Sequence, residues 1–593
     1  MTAPRRSPRA RPLTARQVDA VLRGTFGLRR LRPGQRAVIE RVLRGEPTLA
    51  VMPTGSGKSL CYQLPALLMP GLTLVVSPLI ALMKDQCESL RELGVEAVQL
   101  NSALGSAELQ EAEAAIADGR AKIAMTTPER LQDAGFRELL HGREVSLVAV
   151  DEAHCISQWG HDFRPAFLEI APQLAQLGRP VVLALTATAQ EDVARDICSQ
   201  LGIPPEGVVN TSAHRANLDL RVESMAGDAD KLRRAVQLVR KLEGSGIVYC
   251  ATIKAATAVH EALHAADEPA GIYHGKLPVA ERSAQQEAFM EGRCRVMVAT
   301  NAFGLGIDKA DIRFVLHYQL PPTLESYYQE AGRAGRDGEP ARCTLLFLRG
   351  DKAVQQFFMA GRYPTGEDAD AIVAALREPA PDGDSWTLAL LQGRLARPRN
   401  KLQVALGLLR KHGVVEADAD GAIRLLKHKL KAEEVDALMD SYGKRRDLDR
   451  EGLERMVFYA QTGQCRWRVL LEHLDGEAPF ERCEHCDNCR RIAAHEKVVE
   501  HLAQESDDEE VAGESTVQLS RGDIVMVKRY GRGIVEQSTA LEVTVAFADG
   551  TRRAFLPQYV AKYRARRGKA ASTQADGRAL PGRVLPALER SEG

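Results

Sequence analysis

Long apolar segments are missing from this chain of 593 residues. No run approaches the roughly 20 apolar residues that a membrane-spanning helix requires, and no apolar core of a signal peptide follows the amino terminus. Residues 1–16 are rich in Arg and Pro and contain no acidic residue. This composition fits a transit peptide or a solvated tail, and the prolines at positions 4, 8 and 12 favour the tail because they oppose an amphipathic helix. The sequence predicts a cytoplasmic protein with no membrane partner.

An excess of charge of either sign is missing as well. The 79 Lys and Arg residues balance 79 Asp and Glu residues, so any binding to nucleic acid would need local basic patches rather than a global positive field. Only 11 cysteines occur, which does not suggest the disulfide scaffold of a secreted protein. The hydrophobic content of 45% is ample for globular cores, and the length predicts three or four domains.

One glycine-rich motif organises the chain: Val51-Met-Pro-Thr-Gly-Ser-Gly-Lys-Ser-Leu60. The pattern predicts a buried strand at 48–52 before it and a helix at 60–68 after it. A glycine-rich turn there directs backbone N–H groups and the positive end of the helix dipole at a phosphate. Lys58 would reach terminal phosphates, and the Ser59 hydroxyl would suit Mg²⁺. Met52 replaces the usual first glycine, and a chance glycine turn before a core helix is the alternative.

A pair of acidic residues follows a strongly apolar strand predicted at 145–150. A carboxylate at the end of such a strand can hold Mg²⁺ through water, and its neighbour can orient or deprotonate an attacking water. Asp151 and Glu152 fit these two roles, with a surface acid pair as the alternative. Further strands predicted at 72–77, 98–101, 122–126 and 181–185 alternate with helical segments. The fold predicted is a doubly wound parallel sheet with its functional residues at the strand ends.

Candidate contacts with nucleic acid lie just after these strands. Polar residues at strand ends would contact a nucleic-acid backbone or simply cap helices; they are Ser77, Thr126 and Thr127. The segment 155–165 combines Trp159, Phe163 and Arg164. Aromatic faces near a cation can stack on single-stranded bases, and core packing is the alternative. Gly160 and Pro165 favour a loop over a long packed helix.

A second αβ run begins with strands predicted at 246–250 and 295–299 and has no phosphate loop of its own. It contains Gln329-Glu-Ala-Gly-Arg-Ala-Gly-Arg336. Arg333 and Arg336 lie three residues apart, which predicts one side of a helical turn. Guanidinium groups from a second domain can stabilise charge on a γ-phosphate, whereas surface salt bridges are the alternative. The two runs together predict a motor whose domains are drawn together by ATP.

These motifs resemble the RecQ family of superfamily-2 DNA helicases. The resemblance covers about 25–351, and its most specific part is the aromatic-rich segment 153–165. It implies two tandem RecA-like domains and ATP-driven 3′-to-5′ unwinding of DNA with single-stranded or forked regions. It also implies that the aromatic segment couples contact with the single strand to hydrolysis.

The resemblance also implies roles for individual residues. Arg32 and Gln35 would recognise adenine, although a capped surface helix near Pro33 explains Gln35 equally well. Leu28 stands where the family often stacks an aromatic ring on adenine. The catalytic set implied is Lys58, Asp151, Glu152, Gln329, Arg333 and Arg336. The nucleotide-binding set implied is Arg32, Gln35, Thr54, Gly55, Ser56, Gly57, Lys58, Ser59, Gly306 and Asp308.

Four cysteines predict a metal centre. Cys483, Cys486 and Cys489 have C-x-x-C-x-x-C spacing and Cys465 precedes them, which matches a tetrahedral zinc site. His485 is an alternative ligand, but the sequence from Cys465 to Trp467 resembles the family's Cys-Arg-Arg helix. A site with four thiolates leaves no open position, so its zinc would be structural.

The remaining segments depart from the family's usual plan. In the insert at 365–464 we predict helices at 385–393 and 400–411 and a hairpin at 414–426, which fit a winged-helix-type fold or a helical spacer with a basic face. Long helices are predicted at 435–462. Strands predicted at 524–527, 533–535, 541–547 and 552–556, with turns at 531–533 and 548–550, resemble the Tudor-like barrels of some superfamily-1 helicases. That resemblance implies contacts with a polymerase, DNA or a single-strand-binding protein.

The expected domains are a tail (1–15), two RecA-like domains (16–218 and 219–365), a winged-helix-like segment (366–432), a zinc subdomain (433–492), an acidic linker (493–518), a small barrel (519–562) and a second tail (563–593). The expected function is DNA unwinding in recombination, repair or replication, associated with a bacterial nucleoid. Two alternatives stay open at this point. One is an ATPase that remodels nucleic acid without separating strands, and the other is an RNA helicase.

Overall fold

The computed structural model describes residues 14–157, 164–304, 307, 309–362, 364–381, 385–418, 422–427, 432–507, 519–528, 530–539, 542–548 and 550–563. The chain divides into two compact units, Met1–His495 and Glu496–Gly593. Within the described ranges, no helix has both the length and the apolar character that crossing a bilayer requires.

The first lobe (residues 14–210) is built on a parallel sheet in the order β3-β4-β2-β5-β6-β1-β7. Its strands are β1 (Thr48–Val51), β2 (Leu72–Val76), β3 (Ala97–Leu100), β4 (Ile123–Thr126), β5 (Val145–Val150), β6 (Val181–Thr186) and β7 (Val208–Asn210). Strands β1, β2 and β4 are buried at every residue because helices cover both faces of the sheet. The carboxyl ends of these parallel strands share one edge, and the phosphate loop (residues 52–59) lies there.

The helices of the first lobe are α1 (Ala15–Gly24), α2 (Gln35–Leu43), α3 (Leu60–Leu68), α4 (Ile80–Glu92), α5 (Ser106–Ala117), α6 (Ala134–His141), α7 (Ile170–Gln176) and α8 (Glu191–Leu201). One core, with Val38, Tyr62 and Met83, packs helices α2 to α4 on one face of the sheet. Another core, with Phe136 and Ile197, packs α5 to α8 on the opposite face. This doubly wound arrangement is RecA-like, as predicted.

The second lobe (residues 218–362) repeats the plan with a parallel sheet in the order β10-β11-β9-β12-β13-β8. Its strands are β8 (Leu218–Ser224), β9 (Ser245–Tyr249), β10 (Ala270–Tyr273), β11 (Val296–Ala299), β12 (Ile312–His317) and β13 (Ala341–Phe347). Its helices are α9 (Asp228–Lys241), α10 (Ile253–Ala265), α11 (Val279–Met290), α12 (Leu324–Ala331) and α13 (Asp351–Arg362). Residues 211–217 connect the lobes and are called the hinge segment below.

The insert (residues 366–427) has a hydrophobic core of its own around Trp386, Leu391 and Leu409. Its elements are α14 (Gly366–Arg377), α15 (Leu388–Leu395), α16 (Arg399–Lys411) and the antiparallel pair β14 (Val415–Ala417) and β15 (Ile423–Leu425). The predicted helix, helix and hairpin are present, and α14 precedes them.

Three basic side chains of the insert form ion pairs with acidic residues of the insert itself. Lys401 Nζ lies 2.7 Å from Asp368 Oδ2, and Arg397 Nε lies 3.4 Å from Asp368 Oδ1. Arg394 lies 2.9 Å from Glu378. These contacts neutralise part of the basic face that the sequence predicts.

The zinc subdomain (residues 432–495) comprises α17 (Ala432–Gln461), α18 (Arg466–Leu474) and the first part of α19 (Asp487–Asp507). It shares one continuous hydrophobic core with the second lobe. Tyr459 and Tyr327 hydroxyls lie 3.3 Å apart, and Trp467 Nε1 donates to Leu218 O at 3.2 Å. Helix α19 extends to Asp507 into the segment predicted as an acidic linker, because residues 493–507 contain no helix-breaking Gly or Pro.

The second unit contains an antiparallel sheet in the order β19-β18-β17-β16-β20. Its strands are β16 (Ile524–Val527), β17 (Gly531–Ser538), β18 (Val543–Phe547), β19 (Arg552–Phe555) and β20 (Val560–Lys562). The predicted turn at 531–533 is wrong, since these residues begin β17. Gly533 is needed there because a Cβ atom would lie 2.4 Å from Val545 Cγ1. Closure of this sheet into a barrel stays a prediction.

Candidate functional site

The phosphate loop joins β1 to α3 and depends on two glycines. Gly55 has φ +80° and Gly57 has φ +77°, a region that favours glycine. A Cβ atom on Gly55 would also lie 2.8 Å from Arg336 Cγ. The loop of the first lobe is therefore in direct contact with the arginine-bearing segment of the second lobe.

Lys58 is half-buried at the base of this loop. Its Nζ donates to Met52 O at 3.2 Å and to Pro53 O at 3.5 Å. Burial lowers the pKa of Lys58, whereas the nearby Glu152 and Asp151 raise it. A half-buried ammonium that is held by loop carbonyls has the charge and position to bind an incoming phosphate.

Asp151 follows β5 at the same edge of the sheet. Burial and then the Glu152 charge raise the pKa of Asp151 to about 7, while Lys58 and the hydrogen bond from Ser77 oppose the rise. Ser77 Oγ donates to Asp151 Oδ2 at 3.4 Å. Glu152 has φ 49° and ψ 46°, a left-handed conformation that is uncommon for a residue with a side chain. Strained backbone of this kind clusters at functional sites.

The donor set for a divalent cation is also present. Ser59, Asp151 and Glu152 line one pocket with Lys58. Gln86 Nε2 donates to Ser59 Oγ at 3.0 Å, which fixes the hydroxyl while leaving it able to act as an oxygen ligand. Hydroxyl and carboxylate oxygens are the ligands that Mg²⁺ prefers.

The arginines lie on a turn rather than on a helix, so the helical prediction is wrong. Helix α12 ends at Ala331, and the arginine turn (residues 332–338) follows. Gly335 has φ +56°, which breaks the helical path. Arg333 and Arg336 still line the same pocket as Lys58, together with Gln329 from α12. Arg333 is 8% exposed, and its Nε has no hydrogen-bond partner among the described residues.

The side chains predicted to contact adenine form hydrogen bonds with the protein itself. Gln35 is 2% exposed, and its Nε2 donates to Ser56 O at 3.0 Å and Gly57 O at 2.9 Å. Its Oε1 accepts from the Arg32 backbone N at 2.7 Å. The Arg32 guanidinium donates to Gly55 O and, at 3.3 Å, to Arg336 O. In this conformation both residues brace the loop, so their contact with adenine stays a prediction.

The residues predicted to contact nucleic acid differ in their exposure and in whether the structure describes them. Ser77 is 4% exposed, and its bond to Asp151 favours a role at the carboxylate over the predicted contact with nucleic acid. Thr126 is buried and donates to Leu100 O. The backbone N of Arg164 donates to Cys155 O at 3.0 Å. The predictions for Trp159, Phe163, Gly306 and Asp308 lie outside the described residues.

Sequence reasoning missed Arg215 in the hinge segment. Its guanidinium donates to Thr54 O of the phosphate loop at 2.7 Å and to Gly335 O of the arginine turn at 2.6 Å. These partners are 161 and 120 residues away in the sequence, so no local pattern could reveal them.

The four predicted zinc ligands converge. The Sγ atoms of Cys465, Cys483, Cys486 and Cys489 all lie within 4.8 Å of one another. Backbone N–H groups donate to three of them, as Cys483 N does to Cys465 Sγ at 3.3 Å. His485 Nδ1 lies 2.6 Å from Cys483 O, which directs it to the backbone. Four thiolates at this spacing fit a structural zinc ion.

These features define a two-lobed, RecA-like nucleoside triphosphatase with an appended zinc subdomain. Residues 32–197 match the DEAD/DEAH box helicase family and residues 230–338 the helicase conserved C-terminal domain. Residues 423–490 match the RecQ zinc-binding family. The cysteine cluster therefore belongs to a segment that is recognised as zinc-binding in its own right.

Comparison with curated proteins gives the family. The chain is 37% identical over 470 residues to the probable ATP-dependent DNA helicase RecS of Bacillus subtilis, covering 78% of this chain and 90% of that protein. It is 34% identical over 490 residues to the ATP-dependent DNA helicase RecQ of Synechocystis sp., covering 80% and 98%. The match to RecQ of B. subtilis, at 47% identity, spans only 58% of each chain. The chain belongs to the RecQ family of ATP-dependent DNA helicases.

Proposed function

We propose that this protein uses ATP hydrolysis to move 3′-to-5′ along single-stranded DNA and to unwind duplex or forked DNA in recombination, repair or replication. The observation that carries the proposal is the contact between the lobes at the nucleotide pocket. The arginine turn of one lobe packs on the phosphate loop of the other, at Gly55. A pocket divided in this way converts nucleotide binding and hydrolysis into relative motion of the lobes.

The chemistry assigned to the pocket is phosphoryl transfer to water. Lys58 neutralises charge on the terminal phosphates, and Glu152 orients or deprotonates the attacking water. Arg333, Arg336 and Gln329 act on the γ-phosphate from the second lobe, where guanidinium groups stabilise the charge of the transition state. Mg²⁺ held by Ser59 and Asp151 would polarise the phosphate oxygens. Adenine contacts are assigned to Arg32 and Gln35, with Gly306 and Asp308 completing the nucleotide site.

The raised pKa of Asp151 is consistent with a cation site. Burial and the Glu152 charge raise the pKa of this carboxyl group. A bound divalent cation would favour the ionised form and restore the ligand. Ser77, which donates to the same carboxylate, would then orient it.

Strand separation is the first test. A 3′-tailed duplex and a 5′-tailed duplex are each incubated with ATP and the wild-type protein, with Lys58→Ala as the matched inactive variant. Release of the strand from the 3′-tailed duplex alone is expected, and Lys58→Ala should release none. ATP consumption without strand release would instead support the remodeller alternative. Equal release on an RNA tracking strand would support the RNA helicase alternative.

Coupling between the single strand and hydrolysis is tested through Trp159. Because aromatic stacking on bases is worth about 1–3 kcal/mol per base, Trp159→Ala should retain ATP binding but lose most of the stimulation of hydrolysis by single-stranded DNA. The readout is the ATPase rate across a titration of single-stranded DNA. Stimulation equal to that of the wild type would remove the coupling role from this residue.

The second unit is assigned to partner binding. Three large apolar side chains, Ile524, Met526 and Ile534, are exposed on adjacent strands β16 and β17. Exposed apolar clusters of this kind mark interaction sites, and a single-strand-binding protein or a polymerase is the partner proposed. The test compares the full chain with Ile534→Glu for binding to each purified partner by calorimetry. Retained binding by the variant would exclude this surface.

A further inference from the structure

Arg215 occupies the hinge segment, and its guanidinium reaches both sides of the nucleotide pocket. Nη1 donates to Thr54 O on the phosphate loop at 2.7 Å and to Gly332 O on the arginine turn at 3.2 Å. Nη2 donates to Ala334 O at 2.9 Å and Gly335 O at 2.6 Å. Four carbonyl oxygens from two lobes therefore converge on one side chain.

The surroundings of Arg215 are costly for a cation. Burial lowers the pKa of Arg215, and the charges of Arg336 and Arg32 lower it as well. No ion pair with a carboxylate is found for Arg215 in the described ranges, so carbonyl dipoles and the side-chain amide of Asn217, whose Oδ1 accepts from Nε at 3.3 Å, compensate its charge. Even a half-buried guanidinium is stable only when its donors are satisfied, and here the acceptors are mainly the backbone carbonyls that shape the pocket.

The two backbones that Arg215 joins are also in close contact. A Cβ atom on Gly332 would lie 3.0 Å from Thr54 Cβ. The arginine turn is therefore packed tightly against the phosphate loop at Gly332. A change of about 1 Å in this contact would move the arginines relative to the γ-phosphate position, and misplacement on that scale is known to reduce rates strongly.

The hinge segment is anchored on its other side by the zinc subdomain. Asp475 Oδ2 accepts from Ser212 Oγ and from the Ala213 backbone N, each at 2.8 Å. The His214 ring lies edge-on to Trp467 with ring centroids 4.9 Å apart, and Tyr328 OH donates to Ala213 O at 2.7 Å. Arg215 thus projects from a backbone that is fixed to the second lobe and the zinc subdomain, and its bond to Thr54 O is its link to the first lobe.

We propose that Arg215 is a positioning residue that fixes the arginine turn against the phosphate loop when the lobes close. It acts through the carbonyl of Thr54 and the carbonyls of the turn. The proposal rests on the ATP hydrolysis assigned above and names the residue that aligns its two halves. Because alignment matters in the transition state, loss of Arg215 should reduce kcat rather than weaken ATP binding.

Asn217 provides a matched comparison. Its Nδ2 donates to Gly335 O at 2.8 Å and to Glu339 O at 2.9 Å, so it also holds the arginine turn. Its Oδ1 also accepts from Arg215 Nε at 3.3 Å, but among the described residues it has no hydrogen bond to the phosphate loop. Removal of its amide should loosen the turn locally while leaving the link between the lobes.

The test is the steady-state ATPase of full-length protein with saturating single-stranded DNA, for the wild type, Arg215→Ala, Arg215→Lys and Asn217→Ala. We expect kcat about 10-fold lower or more in both Arg215 variants, with KM for ATP within about 3-fold. Lysine keeps the charge but cannot bridge four carbonyls, so it should not rescue. Asn217→Ala should keep kcat within about 3-fold of the wild type.

The proposal would be overturned by a wild-type rate in either Arg215 variant, by an equal loss in Asn217→Ala, or by a rise in KM with kcat unchanged. Circular dichroism and thermal melting check folding, and failure of both Arg215 variants to fold would make the residue structural and also reject the proposal. An inactive wild type would instead reject the proposed function itself.

Discussion

His473 Nε2 lies 2.6 Å from Glu325 Oε1, which links helix α18 of the zinc subdomain to helix α12 of the second lobe. Arg455 Nη1 lies 3.2 Å from His473 Nδ1. An arginine can only donate, so His473 Nδ1 faces a donor while its Nε2 faces the Glu325 carboxylate. Gln190 of the first lobe donates to the same Glu325 oxygen at 3.1 Å. Three parts of the protein therefore meet at one carboxylate.

Gln190→Ala should release the first lobe from this junction. The lost hydrogen bond to a charged group is worth about 1.5–3 kcal/mol, which is enough to shift a closed arrangement of lobes toward open ones. The measurement is the distance distribution between spin labels on α5 and α11 in nucleotide-free protein, with the exposed Gln110→Ala on α5 as control. A distribution unchanged from the wild type would show that this junction does not hold the lobes.

Gly55→Ala should abolish most of the ATPase activity, by about 10-fold or more. The alanine Cβ would lie 2.8 Å from Arg336 Cγ. The alanine would also have to adopt φ +80°, a conformation that residues with a side chain rarely adopt. Gly178→Ala is the matched control, because Gly178 has φ +77° with nothing within 4 Å of the added Cβ. The control should cost only about 1 kcal/mol of stability and leave hydrolysis intact. Equal activity of the two variants would argue that contact with Arg336 is unimportant.

Cys486→Ser should remove the zinc ion, with metal content falling from about one per chain toward zero. Since the zinc subdomain shares its core with the second lobe, the same change should lower the thermal stability of that lobe. Atomic absorption and differential scanning calorimetry provide the two readouts. Cys198→Ser, at a half-buried cysteine outside the cluster, is the control. Full zinc retention would contradict the ligand assignment.

Asp351→Ala should lower the free energy of unfolding by about 3–5 kcal/mol, because it leaves a buried ammonium unpaired. Lys231 Nζ lies 2.6 Å from Asp351 Oδ2, and both side chains are at most 5% exposed. Replacing both residues with Met and Leu should cost less than the single change. Asp192→Ala at the exposed Arg195 pair should cost about 1 kcal/mol or less. Urea titration gives the values, and a single-variant loss no larger than that of Asp192→Ala would be the contrary outcome.

The fold was predictable where burial dominates the pattern. The strand at 145–150 is apolar along most of its length because helices cover both faces of its sheet, and the structure gives Val145–Val150. Local rules failed where distant contacts decide the conformation. The sequence predicts a turn over 531–533 and a strand only from Gly533, whereas β17 already begins at Gly531, which pairs with Val527 of β16.

The pocket was predictable as a set of residue types but not as a set of contacts. Lys58, Asp151 and Arg336 follow from motifs with known chemistry. Arg215 lies in a segment without periodicity, and its significance comes from bonds to backbone carbonyls. Since every residue has a carbonyl, no side-chain pattern in the sequence could mark those partners.

The insert has its own core, whereas the segments before and after it share one interior. A cavity made inside the insert, such as by Leu409→Ala, would therefore be confined to one small core and would leave the interior shared by the second lobe and the zinc subdomain intact.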